Sequence, residues 1–139
     1  MQLVGCYGWA VQPPVVTWYD ANAARLAVAY EAVPATVTRD WLADLLPGPP
    51  AVVVDVGSGS GRDAAAFAAA GYEVVAIEPS LGMRAEAERR HSSPRIRWLA
   101  DSLPVLSTAS RAGVAADVVS LSAVWQHVAP ADRPRAFRK

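Results

Sequence analysis

The run Val52-Val53-Val54-Asp55-Val56, followed at once by Gly57-Ser58-Gly59-Ser60-Gly61, constrains the fold more than any other part of the chain. A β-branched run of this kind suits a strand buried on both faces. Alternate glycines let the backbone turn through positive φ and leave room for a ligand close to it. Ala64 to Ala70 then favours a helix. The first N–H groups of such a helix have no partner within it and attract an anionic group. Strand, tight loop and helix in this order open a parallel α/β sheet. The glycines are spaced G-x-G-x-G. A dinucleotide fingerprint reads G-x-G-x-x-G, and Arg62 stands at its last position. A P-loop would need Gly-Lys-Ser/Thr after the turn, which is absent.

A second strand is predicted over Tyr72-Glu73-Val74-Val75-Ala76-Ile77-Glu78, after a Gly71 that suits the end of the preceding helix. It ends in an acid. In open parallel sheets ligands lie at the carboxyl ends of the strands, beside the point where strand order reverses. Glu78 falls at such an end, where a carboxylate can accept both hydroxyls of a ribose. Ile96 to Ala100 reads as a third strand ending at Asp101-Ser102, and Asp117 to Leu121 as a fourth ending at Ser122. Upstream, Trp18 to Glu31 and Thr38 to Leu46 favour helices, the second closed by Pro47-Gly48-Pro49-Pro50.

From about Trp18 onward the chain resembles the class I S-adenosylmethionine-dependent methyltransferases. Val53 to Asp63 is similar to the first motif of that family, Val75 to Ser80 with Met83 to the second, Ala100 to Pro104 to the third, and Asp117 to Ala123 to the fourth. Trp125-Gln126-His127-Val128 and Arg133-x-x-Ala136-Phe137 are similar to the helix after the fourth strand in many bacterial members. The resemblance implies an α/β, Rossmann-like, three-layer fold with a mostly parallel sheet in the order 3-2-1-4. It also implies S-adenosyl-L-methionine as cofactor and a small-molecule methyl acceptor. Asp55, Gly57, Ser58, Gly59, Gly61 and Arg62 would face the methionine part of the cofactor, and Glu78 its ribose. Pro79 and Met83 would pack on the adenine, with Asp101 and Ser102 at its edge and the backbone of Leu121 near the sulfonium. His127 is the candidate general base, because an imidazole titrates near neutrality. Tyr19 or Tyr30 can reach the same site from the N-terminal helix. His91, after the charge run Arg84 to Arg90, reads as a solvated helix-end residue.

Domains of this family have seven strands, and this sequence stops in the helix after the fourth. The expected organisation is an N-terminal extension over residues 1–16 and a partial domain over 17–139, with helices in 17–50 and a cofactor-binding half-sheet in 51–139. The outer edge of strand four would then be unpaired and invite self-association. Two functions of different class follow: a methyltransferase or its cofactor-binding half, and a truncated, non-catalytic binding or interaction module. A nicotinamide-dependent reductase fits less well, because Arg62 replaces the third glycine and no Tyr-x-x-x-Lys pair is present.

Composition narrows the remaining classes. An apolar share of 53% with 19% charged residues suits a packed globule rather than a disordered chain. A formal net charge of zero offers no broad electrostatic footprint for nucleic acid. The lone Cys6 excludes an internal disulfide and fits a reducing cytoplasm. No cluster has the spacing of metal ligands. Leu3 to Val11 is apolar, but glycines break it and it is too short to span a bilayer.

Overall fold

The computed structural model describes residues 14–139. Strand β1 (Val52–Val56) and strand β2 (Glu73–Ile77) each carry four consecutive buried residues, as strands covered on both faces must. With β3 (Ile96–Leu99) and β4 (Val118–Ser120) they form one sheet in the order β3-β2-β1-β4. Every pairing is parallel, with Val52 opposite Glu73 and Asp55 opposite both Ala76 and Ser120. Asp117 fixes the start of β4. Its carboxylate accepts from the Val52 N–H at 2.8 Å, and its own N–H donates to the Val52 carbonyl at 2.9 Å. The predicted strand order is therefore observed. The strands are shorter than predicted at their ends, because Glu78, Ala100 and Leu121 already belong to the loops that leave the sheet.

Alternation along the strands divides the core into two faces. Val53, Val74, Ala76 and Ile96 meet Ala64, Phe67 and Ala68 of helix α3 (Arg62–Ala69) on one face. Val54, Val56, Val75, Ile77 and Leu99 meet Ala109 of helix α5 (Ser107–Arg111) on the other. Right-handed crossovers put α3 and helix α4 (Leu81–Arg90) on the same side, because both connections step in one direction along the sheet. The connection from β3 to β4 steps back across β2 and β1, so α5 lies opposite. Strand order thus reverses between β1 and β4.

Local chemistry sets the helix ends. The Tyr72 N–H donates to the Phe67 carbonyl and the Gly71 N–H to the Ala68 carbonyl, closing α3 in a Schellman motif. The Phe67 and Tyr72 rings seal it edge to face, 5.9 Å apart. Ser80 caps α4, its hydroxyl accepting from the Met83 N–H at 3.1 Å. Helix α1 (Pro14–Glu31) starts earlier than the predicted Trp18 and packs along α4 through Ala23, Leu26 and Met83. Pro14 to Val16, expected in the extension, form its first turn, with Val16 buried. Residues 1–13, with Cys6 and the Leu3–Val11 run, lie outside the described residues. In place of one helix over Thr38–Leu46 the chain forms a short α2 (Thr36–Arg39) and a 3-10 turn over Asp40–Leu45. Pro47 requires an extended residue before it, and Leu46 has ψ 138° accordingly, so the last turn tightens. Near the C-terminus, a 3-10 turn (Trp125–His127) leads to helix α6 (Arg133–Phe137).

Gly61 is the tightest point of this framework. It begins α3 with φ +84°, and a Cβ there would lie 2.7 Å from the Trp98 ring and 3.1 Å from the Ala87 Cβ. Gly61→Ala is expected to lower stability by about 1–3 kcal/mol, read as a fall in the urea midpoint at unchanged slope. An unchanged midpoint would show that the loop and Trp98 yield without cost.

Candidate cofactor site

A cavity of about 700 Å³ opens at the carboxyl ends of β1 and β4, where strand order reverses. Its floor is Asp55 and the loop Gly57 to Ser60, one side is Glu78 to Ser80 with Met83, and the other is Ser122 to Val124 with His127. Val16, Tyr19 and Tyr30 of α1 cover it.

The glycine loop is tied to the end of β2. The N–H groups of Gly57 and Ser58 both donate to the Ile77 carbonyl, at 2.7 and 3.0 Å. The Gly59 N–H donates to Glu78 Oε2 at 2.9 Å, and the Ser80 N–H donates to Oε1 at 2.8 Å. One buried carboxylate thereby holds the loop after β1 and the cap of α4 together. Each of its oxygens keeps a second lone pair for a ligand. Burial pushes the Glu78 pKa above the usual carboxylate range, against the two backbone N–H groups, which lower it.

Asp55 lies at the end of β1 with only 2% of its surface exposed. Burial raises its pKa to about 7, and the neighbouring Asp63 adds to the rise, while a hydrogen bond with Ser120 opposes it. Asp55 Oδ2 and Ser58 Oγ are buried without a partner among the described residues. A buried polar atom left unpaired costs about 1–3 kcal/mol, so a ligand that pairs these two gains that much from the site.

The remaining predicted residues divide between the cavity and its surroundings. Pro79, Met83, Asp101, Ser102 and His127 line it. Asp101 also caps α5, its Oδ2 accepting from the Thr108 and Ala109 N–H groups at 2.7 and 3.0 Å, while Oδ1 accepts from Ser102 at 2.9 Å. Arg62 lines the cavity but is engaged. Its guanidinium makes two bonds to Asp63, at 2.9 and 3.0 Å, and a third to the Val33 carbonyl at 3.3 Å. Gly61 faces Trp98 and His91 beneath the loop rather than the cavity. Leu121 opens onto a second groove beside β4, with Trp41 and Leu45. His127 ends the 3-10 turn after β4 and lies 3.4 Å from the Tyr19 hydroxyl.

Two networks were missed in the sequence. Asp20 Oδ1 accepts from the Ser80 hydroxyl at 2.5 Å and from the Gly82 N–H at 2.9 Å. Glu31 Oε1 accepts from the Ser60 hydroxyl at 2.7 Å and lies 3.0 Å from His91 Nε2. His91 is accordingly not solvated; its side chain is 18% exposed. Asp20 and Glu31 stand about three helical turns apart on one face of α1, so they grip α4 near its start and its end. That spacing was the available signal.

A reversing parallel sheet, a glycine loop after β1 and a carboxylate after β2 define a nucleoside-binding α/β protein. Residues 53–139 match the methyltransferase-domain family, and the chain belongs to it, within the class I S-adenosylmethionine-dependent methyltransferases. Over 72 residues it is 44% identical to a demethylmenaquinone methyltransferase of Parafrankia sp. (strain EAN1pec), covering 52% of this chain and 27% of that protein. The DhpI–SAH complex superimposes with a TM-score of 0.65 at 17% identity, over 88% of this chain and 58% of that one. Magnesium protoporphyrin IX methyltransferase of Synechocystis PCC 6803 does so with 0.60 at 18%, over 86% and 55%. At such identities the two structures show a shared fold. The chain spans little more than half the length of each, and far less of the curated relative.

Asp20→Ala is expected to detach the first half of α1 from α4, leaving the Ser80 hydroxyl and the Gly82 N–H without their charged acceptor. Such bonds contribute about 1.5–3 kcal/mol, so exchange of the α1 amides should accelerate roughly tenfold or more while the β1 and β2 amides stay protected. Equal protection of α1 in both proteins would show that apolar packing alone holds it.

Proposed function

We propose that the cavity binds S-adenosyl-L-methionine and that the protein transfers its methyl group to a small-molecule acceptor. The observation that carries this reading is the set of unpaired acceptors converging on one cavity: Asp55 Oδ2, Ser58 Oγ and the free lone pairs of Glu78. An amino acid joined to a nucleoside presents matching donors at both ends. Bound there, the cofactor supplies an electrophilic methyl group on a sulfonium sulfur.

In this assignment Asp55 holds the ammonium, with the loop residues Gly57, Ser58 and Gly59 beside it. Gly61 shapes the loop from beneath, and Arg62 braces it at the cavity wall through its pair with Asp63. Glu78 accepts the ribose hydroxyls, and Pro79 and Met83 pack on the adenine. Asp101 and Ser102 meet the adenine edge, and Leu121 supports the strand end near the reacting centre. His127 is the candidate base on the acceptor side. The protein's own work is to orient the two reactants and exclude water. The name of the Parafrankia relative supports a small-molecule acceptor. A second reading, association with another strand, is favoured by the outer edge of β4, where Val119 is 57% exposed.

Calorimetric titration with S-adenosylmethionine and, in parallel, NADH tests the proposal. Micromolar binding of the former alone is expected, and binding of NADH alone would reverse the assignment. Glu78→Ala should weaken cofactor binding by about 1–3 kcal/mol, and an unchanged affinity would sink the ribose assignment.

The raised Asp55 pKa adds a pH dependence of stated sign. The fold retains a proton on Asp55 up to about pH 7 that the unfolded chain releases near its ordinary 3.8. The Asp55 contribution to stability is thus fully present below pH 3.8 and is lost as pH rises through 7. Cofactor affinity should run the other way, rising through pH 7 as the carboxylate ionises and turning over near pH 8 as the ligand's amino group deprotonates. Asp55→Asn should flatten both profiles, the first read by thermal melts and the second by titration.

A further inference from the structure

The last turn of α1 is joined to the glycine loop residue by residue. The Tyr30 ring stands over Gly59, where a Cβ would lie 3.8 Å from it. Glu31, the next residue, accepts from the Ser60 hydroxyl at 2.7 Å. In the other direction Arg62, at the start of α3, reaches the Val33 carbonyl at 3.3 Å and the Tyr30 carbonyl at 3.5 Å. Ser60 lines the cavity and is itself buried, while Glu31 stands behind it, outside the lining.

His91 holds Glu31 in turn. Its Nε2 lies 3.0 Å from the same Oε1 that takes the Ser60 hydroxyl. A carboxylate only accepts, so the imidazole carries a proton on that nitrogen. Two adjacent loop residues are thus held by two different acids. The Gly59 N–H donates to Glu78 at the end of β2, and the Ser60 hydroxyl donates to Glu31 from α1. Bonds to charged acceptors on two separate elements leave the peptide between Gly59 and Ser60 one orientation. The two acids differ in reach. Glu78 lines the cavity and takes the ribose in the proposed assignment, whereas Glu31 acts on the loop alone. That loop is where the amino-acid part of the cofactor is placed.

We propose that Glu31 is a positioning residue for the amino-acid part of the cofactor, acting through Ser60 to fix the glycine loop while His91 fixes Glu31. This rests on the methyltransferase reading and adds to it a cluster outside the cavity that sets how tightly one half of the ligand is held. Without Glu31 the buried Ser60 hydroxyl has lost its acceptor. It must then turn or draw in water, and the loop peptides beside it shift with it. The nucleoside half, placed against Glu78, Met83 and Asp101, keeps its contacts, because none of those side chains bonds to Glu31 or Ser60.

Two ligands separate the halves: S-adenosylhomocysteine, which has both, and 5′-methylthioadenosine, which lacks the amino-acid part. Each is titrated calorimetrically into the whole chain. Glu31→Ala is expected to weaken S-adenosylhomocysteine about tenfold while leaving 5′-methylthioadenosine within about twofold. Ser60→Ala removes the same bond from its other side and should show the same selective loss, and it decides the matter alone if Glu31→Ala does not fold. The double variant should lose no more than either single one, since both changes delete one interaction. Glu31→Gln keeps an oxygen for both donors and should restore most of the affinity. A general loosening of the fold weakens both ligands alike, and that result overturns the proposal. Unchanged S-adenosylhomocysteine affinity in Ser60→Ala overturns it as well, as do losses that add in the double variant. Failure of S-adenosylhomocysteine to bind the folded wild-type chain overturns the methyltransferase reading and this proposal with it.

Discussion

The Glu78 carboxylate is the joint on which the site depends. Two backbone N–H groups, from Gly59 and Ser80, converge on its two oxygens, and the Glu78 carbonyl accepts from Arg84 at 2.9 Å. The turn after β1 and the start of α4 belong to successive crossovers, and this side chain joins them directly. A side chain that satisfies donors from both sets the width between them. A shorter acid could not span the gap, and an amide would bring a donor against one of the two N–H groups. The bonds that lock the geometry of the loop offset part of the energetic cost of burying this charge.

Much of this arrangement was legible in the residues. The β-branched runs of β1 and β2, the glycine turn and the acid after the second strand follow from period, burial and turn chemistry, while the strand order followed from the family resemblance. What escaped was long-range. Glu31 and His91 stand 60 positions apart, as do Asp20 and Ser80, and no local pattern announces that their side chains meet. The division of Thr38–Leu46 into α2 and a tight turn was present in principle in Pro47, whose demand on Leu46 competes with helix propensity. Gly61 and Leu121 show a different limit. A motif marks which stretch borders the cavity, but not which of its residues face into it and which brace it from behind.

Asp55 illustrates how binding and stability pull against each other at such a site. Its carboxylate is buried beside Asp63, with one oxygen unpaired, so the fold keeps a proton on it at a pH where ordinary carboxylates are ionised. Burial of this kind is tolerated because the surrounding sheet over-determines the position: Asp55 is held by ladder pairings on both sides, opposite Ala76 and Ser120. The apolar layers above and below β1 supply the rigidity that an unpaired acid needs.

Helix α1 is fastened at two points, by Asp20 to the start of α4 and by Glu31 to Ser60 and His91. A bar bolted at both ends does not swing. Rupture at one end leaves the other clasped, so the wall that α1 gives the cavity is held from both ends, while the rim across from it carries the exposed Gln126 and His127.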